Sequence, residues 1–341
     1  MVMHTLEYST EKKTTTSIYL SHDKQYFKTL VGDRKFVVIS SENLIKTYPE
    51  IFHNVNLITI DDTEEHKNLA TVEGIIGKLS ALGIDRSYII IGIGGGIVCD
   101  ITGFVAHIYM RGVRFGLVPT TLLSLADAAI GGKNGVNYLN YKNMIGSFDN
   151  PDFIVANSDF VQTLPEEQYM SGLGEIIKYA LIGDSEILKI LTSDKEKVLA
   201  RDSSTMQKII AEAINTKVEI VKQDPTDKGI RHILNFGHTI GHSIEITENI
   251  PHGIAVVKGM NAATDISVKC GLLTYDKAKQ IKQLLSSYGY DISYNLGGKH
   301  IEAMVNDKKK ENSNINFVLL EDIGKPTVRN LTIDKIAALV G

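Results

Sequence analysis

One stretch narrows the choice of fold more than any other: Y-I-I-I-G-I-G-G-G-I-V-C-D, residues 88–100. It opens as an unbroken apolar run of strand length, the pattern of a strand buried on both faces of a parallel sheet. Glycines follow, and the chain then starts a helix. Glycines in such a turn let the backbone approach a pyrophosphate, and the free N–H groups at the helix start favour its charge. The spacing is not a complete G-x-G-x-x-G, because Ile97 takes the last glycine position. A tight turn serving packing alone is the competing explanation.

Similar units surround it. Strand-like runs lie at 36–39, 56–60, 115–118 and 153–156, with an amphipathic segment at 63–82. Strands alternating with helices imply a parallel sheet covered on both faces, with ligands beyond the carboxyl ends of its strands. Residues 1–20 add two short β-like runs around T-E-K-K-T. After Leu164-Pro165 helical periods dominate, at 166–181, 204–222, 229–247, 253–270 and 275–288, with one late strand at 315–320. A polar run at 306–314 reads as a solvated loop. The expected architecture is an N-terminal α/β domain with a dinucleotide-binding parallel sheet, residues 1–160, and a mainly α-helical C-terminal domain, residues 161–341. The length allows a core in each.

Composition excludes several partners. A net charge of -4 offers no general basic field for nucleic acid, so an anionic ligand needs a local cluster of cations. No apolar run reaches the ~18 residues of a membrane span, and the start, M-V-M-H-T-L-E-Y, has no secretory pattern. The two cysteines, Cys99 and Cys270, form no C-x-x-C pair. That fits a reducing, cytoplasmic setting and excludes a thiolate zinc site.

Several motifs carry chemistry. Read as a helix at ~100° per residue, R-H-I-L-N-F-G-H-T-I-G-H-S-I-E (231–245) places Arg231, Asn235, His238 and His242 within about 60° of arc, opposite Ile233, Phe236, Ile240 and Ile244. A guanidinium, an amide and two imidazoles on one stripe suit an anion and a metal; a polar surface stripe is the alternative. Glu175 and Lys178 share a helix face, either as site residues or as an ordinary surface ion pair. Glu175, His238 and His252 together make a three-ligand set for a divalent metal with an open position. The run V-P-T-T-L-L-S-L-A-D-A-A-I-G-G-K-N-G-V-N (118–137), with Thr120, Thr121, Asp127 and Lys133, reads as an anion cradle or a polar loop over the sheet edge.

These pieces, in this order, resemble the dehydroquinate synthase family of sugar phosphate cyclases. The resemblance rests on G-G-G-I-V-C-D (94–100), Y-M-R-G-V-R-F (109–115), V-P-T-T-L-L (118–123), D-A-A-I-G-G-K (127–133), K-N-M-I-G-S-F (142–148), G-E-I-I-K-Y (174–179), R-H-I-L-N-F-G-H-T-I-G-H (231–242) and D-K-K (307–309). It implies an active site in the cleft between the two domains, a homodimer, catalytic NAD, and zinc or cobalt held by Glu175, His238 and His252. By the same resemblance Glu64, Lys67, Gly95, Gly96, Asp100, Thr120, Thr121, Asp127, Lys142, Thr163 and Leu164 line the NAD site. Lys133, Asn143, Lys178, Lys217, Arg231, Asn235, His242 and Lys309 form the substrate pocket, and Arg111 reaches the neighbouring subunit's site. The implied substrate is 3-deoxy-D-arabino-heptulosonate 7-phosphate, which loses phosphate and closes to 3-dehydroquinate. The implied proton-transfer residues are Lys178 and His242. The chain departs from the family pattern at Ser41, Cys99, Asn134, Tyr141 and Ile254.

Three rival readings remain: a sister cyclase using sedoheptulose 7-phosphate or an aminated analogue, a metal-dependent polyol dehydrogenase, and a non-catalytic NAD-binding regulator. Net NADH production would mark the second, and absence of metal and of phosphate release the third.

Overall fold

The computed structural model describes residues 15–139, 141–308 and 314–340. In chain order the strands are β1 (Ser17–Leu20), β2 (Phe36–Ser41), β3 (Leu57–Ile60), β4 (Ile89–Gly94), β5 (Arg114–Pro119), β6 (Lys133–Tyr138), β7 (Tyr141–Phe148), β8 (Phe153–Ala156), β9 (Asn314–Asp322) and β10 (Lys325–Thr332). The helices are α1 (Tyr26–Val31), α2 (Glu42–Thr47), α3 (Leu69–Ala81), α4 (Gly96–Ile108), α5 (Glu166–Ile182), α6 (Ser185–Ser193), α7 (Lys195–Leu199), α8 (Ser203–Gln223), α9 (His238–Glu248), α10 (His252–Lys269), α11 (Tyr275–Ser287), α12 (Gly298–Lys308) and α13 (Ile333–Val340).

Six strands form one parallel sheet in the order β1-β8-β5-β4-β2-β3. Alternate side chains serve opposite faces. Val37, Ile39 and Ile90 join α3 and α4 in a core that continues into the helical half, whereas Val38, Ile89 and Ile91 pack with Phe27, Ile51 and Phe160 on the other side. From β2 the chain moves outward to β3, then returns to the other side of β2 as β4. The order therefore reverses between β2 and β4, whose carboxyl ends are Ser41 and Gly94, the point at which sheets of this kind bind ligands. The strands and helices expected from periodicity occur within a few residues, with two exceptions.

The first exception is the stretch 229–247, which is not one helix. A 3₁₀ turn covers Ile230–Asn235, Phe236 is extended, and α9 starts only at His238. Gly237 makes the break with φ 80°, and a Cβ there would sit 2.5 Å from Met260 Cγ. Arg231 and Asn235 thus belong to a different element from His238 and His242. The second is the glycine-rich run after β5, which is not a simple loop. A π-helical turn, Ser124–Ala128, leads into the antiparallel β6–β7 hairpin. A further strand, β10, pairs antiparallel with the expected late strand, here β9; its mostly exposed residues and Pro326 hide it from periodicity. The first β-like run of residues 1–20, Lys309 and most of the polar run after it lie outside the described residues. Among the described residues no helix is long and apolar enough to cross a membrane.

Helix α10 packs on both α5 and α9. The α5 contact depends on two glycines. A Cβ on Gly253 would fall 1.8 Å from Ser171 O, and one on Gly174 would fall 2.5 Å from Gly253 O. Gly253 N–H donates to Ser171 Oγ at 3.0 Å. This backbone contact brings Glu175, next to Gly174, beside His252, next to Gly253. Gly253→Ala should therefore lower stability by about 2–4 kcal/mol, measured by urea unfolding. It should also reduce the metal content of purified protein, although no ligand is altered.

Candidate active site

Glu175 lies in the fully buried middle of α5, and its side chain is 0% exposed. The surface-pair alternative for Glu175 and Lys178 is overturned, since Lys178 is only 1% exposed. Oε2 of Glu175 accepts from Lys178 Nζ. Oε1 is buried without a hydrogen-bond partner and lies 3.5 Å from both His238 Nε2 and His252 Nε2. Ligand atoms of a tetrahedral ion with bonds of ~2.1 Å stand roughly 3.4 Å apart, so an ion fits between these three atoms. His242 stands one turn beyond His238, and its ligand atom lies within 4.8 Å of those of His238 and His252. The cluster therefore offers two overlapping trios of ligand atoms. The one with Glu175 supplies an anion and explains its orphaned oxygen, which the three-histidine trio leaves without a role.

Each imidazole is oriented through Nδ1. That of His238 is 3.2 Å from Phe236 O, and that of His252 is 2.9 Å from Glu245 Oε2. Both arrangements turn Nε2 toward Glu175, as outer-shell partners of metal-binding histidines do. Burial lowers His238 to about 3, so it is neutral. Burial opposes charge on His252 too, but the facing carboxylates of Glu175 and Glu245 carry it up to about 9. Against the effect of burial, the Lys178 ammonium holds the Glu175 carboxyl below its usual range.

A second ionic cluster adjoins the first. The π-helical turn carries Asp127, whose carboxylate accepts from Lys217 Nζ and, at 2.7 Å, from the Tyr179 hydroxyl. Burial would raise the Asp127 carboxyl, but Lys217 and Lys178 hold it well below the usual range. Burial lowers Lys217. Asp127 therefore balances the buried ammonium groups of Lys217 and Lys178.

On the sheet side, Gly95 caps α4 and Gly96 opens it. Thr120 N–H donates to Gly94 O at 2.9 Å, and Thr121 Oγ1 meets Ser124 Oγ at 2.9 Å. Lys67 Nζ reaches Asp100 Oδ2 and Asn143 Oδ1, both at 2.5 Å. Glu64 Oε1 accepts from Asn137 Nδ2 at 2.8 Å, and Lys142 pairs with Glu245. Thr163 Oγ1 meets Tyr48 OH at 2.6 Å, and Leu164 O accepts from Arg201 at 2.7 Å.

The remaining sequence-derived residues divide. Arg231 is buried, with Nη1 donating to Gly131 O at 3.1 Å and Pro225 O at 3.0 Å. These neutral acceptors leave the guanidinium charge available to an anion. Asn235 is half-buried at the end of the 3₁₀ turn. Lys133, at the start of β6, pairs with Asp227. Arg111 is exposed after α4 with a left-handed φ of 63° and takes no part in these clusters.

Sequence reasoning missed Asp227 and Glu245. Asp227 has φ 57° and a buried Oδ1 without a partner; in sequence it is one more polar residue in D-P-T-D-K-G. Glu245 faces His252 only because α9 and α10 fold back on each other. Some departures acquire local roles. Ser41 caps α2 through Leu44 N–H, and Asn134 Nδ2 ties the hairpin to Gly132 O and Asp149 O at 3.0 and 2.8 Å. Cys99 is buried in the core, Ile254 is half-buried against it, and Tyr141 is exposed on β7.

Comparisons with known proteins agree with one another. Two family models match, 3-dehydroquinate synthase N-terminal over residues 57–171 and 3-dehydroquinate synthase C-terminal over residues 172–310. A 3-dehydroquinate synthase of Campylobacter concisus is 40% identical over 279 residues, spanning 80% of this chain and 79% of that one. Another, of Saccharolobus solfataricus, is 44% identical over 245 residues, spanning 70% and 69%. In fold, the chain is similar to 2-epi-5-epi-valiolone synthase from Streptomyces hygroscopicus subsp. jinggangensis, solved with NAD+ and Zn2+ bound: TM-score 0.89, 23% identity, 98% of both chains.

The raised pKa of His252 has a measurable consequence. The ring keeps its proton up to about pH 9, so a divalent ion binding through Nε2 at neutral pH must displace it. Zn2+ affinity should rise about tenfold per pH unit up to about pH 9 and level off above. Calorimetry in buffers of different ionisation enthalpy should register about one proton released per ion at neutral pH.

Proposed function

This chain belongs to the 3-dehydroquinate synthase family, and on that premise we propose which of its residues perform the reaction. The enzyme is a lyase that converts 3-deoxy-D-arabino-heptulosonate 7-phosphate to 3-dehydroquinate and phosphate. The observation that carries the residue reading is the unpartnered Glu175 Oε1, 3.5 Å from two imidazole nitrogens.

Glu175, His238 and His252 hold the zinc or cobalt ion. Gly95, Gly96, Thr120, Thr121 and Asp100 form the turn that receives NAD, with Glu64, Lys67, Asp127, Lys142, Thr163 and Leu164 around it. When bound, the dinucleotide supplies a reversible hydride acceptor and the ion supplies Lewis acidity. Arg231, joined by Lys217 and Asn235, binds the substrate carboxylate, since a planar guanidinium can grip both oxygens. Lys133, Asn143 and Lys309 take the phosphate end. Burial opposes charge on Lys178, but Glu175 and Asp127 keep it protonated. Lys178 can therefore donate a hydrogen bond to oxygen as negative charge develops there. His242, beside His238, is the second proton-transfer group.

The sister-cyclase and dehydrogenase readings are not favoured, because the relatives named above are dehydroquinate synthases. We further propose a cytoplasmic homodimer, with the domain boundary at residues 160–161, and Arg111 of each subunit completing its neighbour's phosphate pocket. The β6–β7 hairpin supports the dimer. It exposes Tyr138, Leu139, Tyr141, Met144 and Phe148. Large apolar side chains exposed on one hairpin suit burial against a second copy.

Four outcomes are expected. Phosphate should be released with no net absorbance gain near ~340 nm, because NAD is returned in each cycle; stoichiometric NADH would overturn the cyclase reading. The heptulosonate phosphate should be preferred over sedoheptulose 7-phosphate by at least roughly a hundredfold in kcat/KM, since leaving the buried Arg231 guanidinium without an anionic partner costs several kcal/mol. Arg231→Lys should lose most activity. Mixing Arg111→Ala with His238→Ala protein should restore part of the activity in heterodimers, where one of the two sites regains both groups. Subunit exchange without recovery would place Arg111 in its own subunit's service.

A further inference from the structure

Glu245 has no part in the roles assigned above, yet it touches both sides of the site. Its Oε2 lies 2.9 Å from His252 Nδ1, and its Oε1 is ion-paired with Lys142 Nζ. Its side chain is 10% exposed, too little for water to satisfy both oxygens. The local chain creates this arrangement. His238, His242 and Glu245 follow at i, i+4 and i+7, so they share one face of α9. Asn249 ends that helix in the left-handed region with φ 52°. Pro251 then precedes α10, so His252 folds back against Glu245. Lys142 arrives from the other direction, on the β6–β7 hairpin beside α4. Glu64 Oε1, at 3.8 Å, is the other carboxylate near Lys142 and is far more exposed, at 44%.

We infer that Glu245 is a positioning residue that ties the imidazole of His252 to the ammonium of Lys142, so that one carboxylate holds the metal side and the cofactor side of the cleft in register. The inference rests on the reading of His252 as a metal ligand. Once an ion displaces the proton at Nε2, the hydrogen bond at Nδ1 holds the remaining one there and leaves the Nε2 lone pair facing the site, and the negative charge makes that nitrogen a better donor to an ion. Lys142 grips the opposite oxygen and limits the rotation of the carboxylate. A change at Lys142 is therefore transmitted to the ion without touching it.

The test is Co2+ titration of metal-free full-length protein, followed by its visible absorption and without substrate. Glu245→Ala should weaken Co2+ binding ten- to a hundredfold and shift the spectrum. Lys142→Met should weaken it roughly threefold in the unsubstituted background and not at all in the Glu245→Ala background. Unchanged affinity and spectrum in Glu245→Ala, or effects of the two substitutions that simply multiply, would overturn the link. If Glu245→Ala does not fold, Glu245→Gln is read in its place, because the amide keeps the volume and one acceptor. It should bind Co2+ within about threefold of the unsubstituted chain and abolish the Lys142→Met effect; a full Lys142→Met effect in that background overturns the proposal. His252→Ala separates the two layers: if it binds Co2+ undiminished, the ligand assignment is what fails.

Discussion

A carboxylate cut off from water cannot stand alone, and Glu175 is the group on which this structure turns. Burying an ionised carboxyl costs several kcal/mol unless both oxygens find partners. Lys178 serves one oxygen, one helical turn away. The other faces two imidazole nitrogens brought from α9 and α10. The glycine contact between α5 and α10, the break at Gly237 and the turn at Asn249 all serve to deliver those nitrogens. A buried site left one bond short is suited to take up a cation.

The same logic extends across the cleft. Lys67 faces Asp100, Lys133 faces Asp227, Lys142 faces Glu245, and Lys217 faces Asp127. On the proposed assignment, an anionic substrate meeting Lys133 and Lys217 exchanges Asp227 and Asp127 for its own oxygens, so part of the attraction is spent on displacing carboxylates. Arg231 differs, because its guanidinium is held by carbonyl oxygens. It can recognise an incoming carboxylate without first releasing one, which suits a residue that sets substrate choice.

Much of this was legible in the sequence. The buried strand before Gly94 and its helix were visible because an unbroken apolar run and a glycine cluster have few other uses. The long helices α5, α8, α10 and α11 were visible by their period. The break at Gly237 was not, because the apolar period continues straight through it and only the approach of Met260 shows that glycine is needed. The β6–β7 hairpin was hidden because half its residues are exposed and it lacks clean alternation. Glu175 and Lys178 could be placed on one face from spacing, but a surface pair and a buried pair share the same spacing.

The sequence by itself determined the element types, the glycine turn and which residue types were available for chemistry, because these depend on neighbours within a few positions. Family resemblance could be read there too, since it resides in ordered local motifs. Only the tertiary structure decided that Glu175 is desolvated, that His252 and Glu245 face each other across a turn, and that Asp227 neutralises Lys133. Those outcomes depend on contacts between segments far apart in the chain, whose energies come from shared burial and from charge in a low dielectric. No local pattern encodes them.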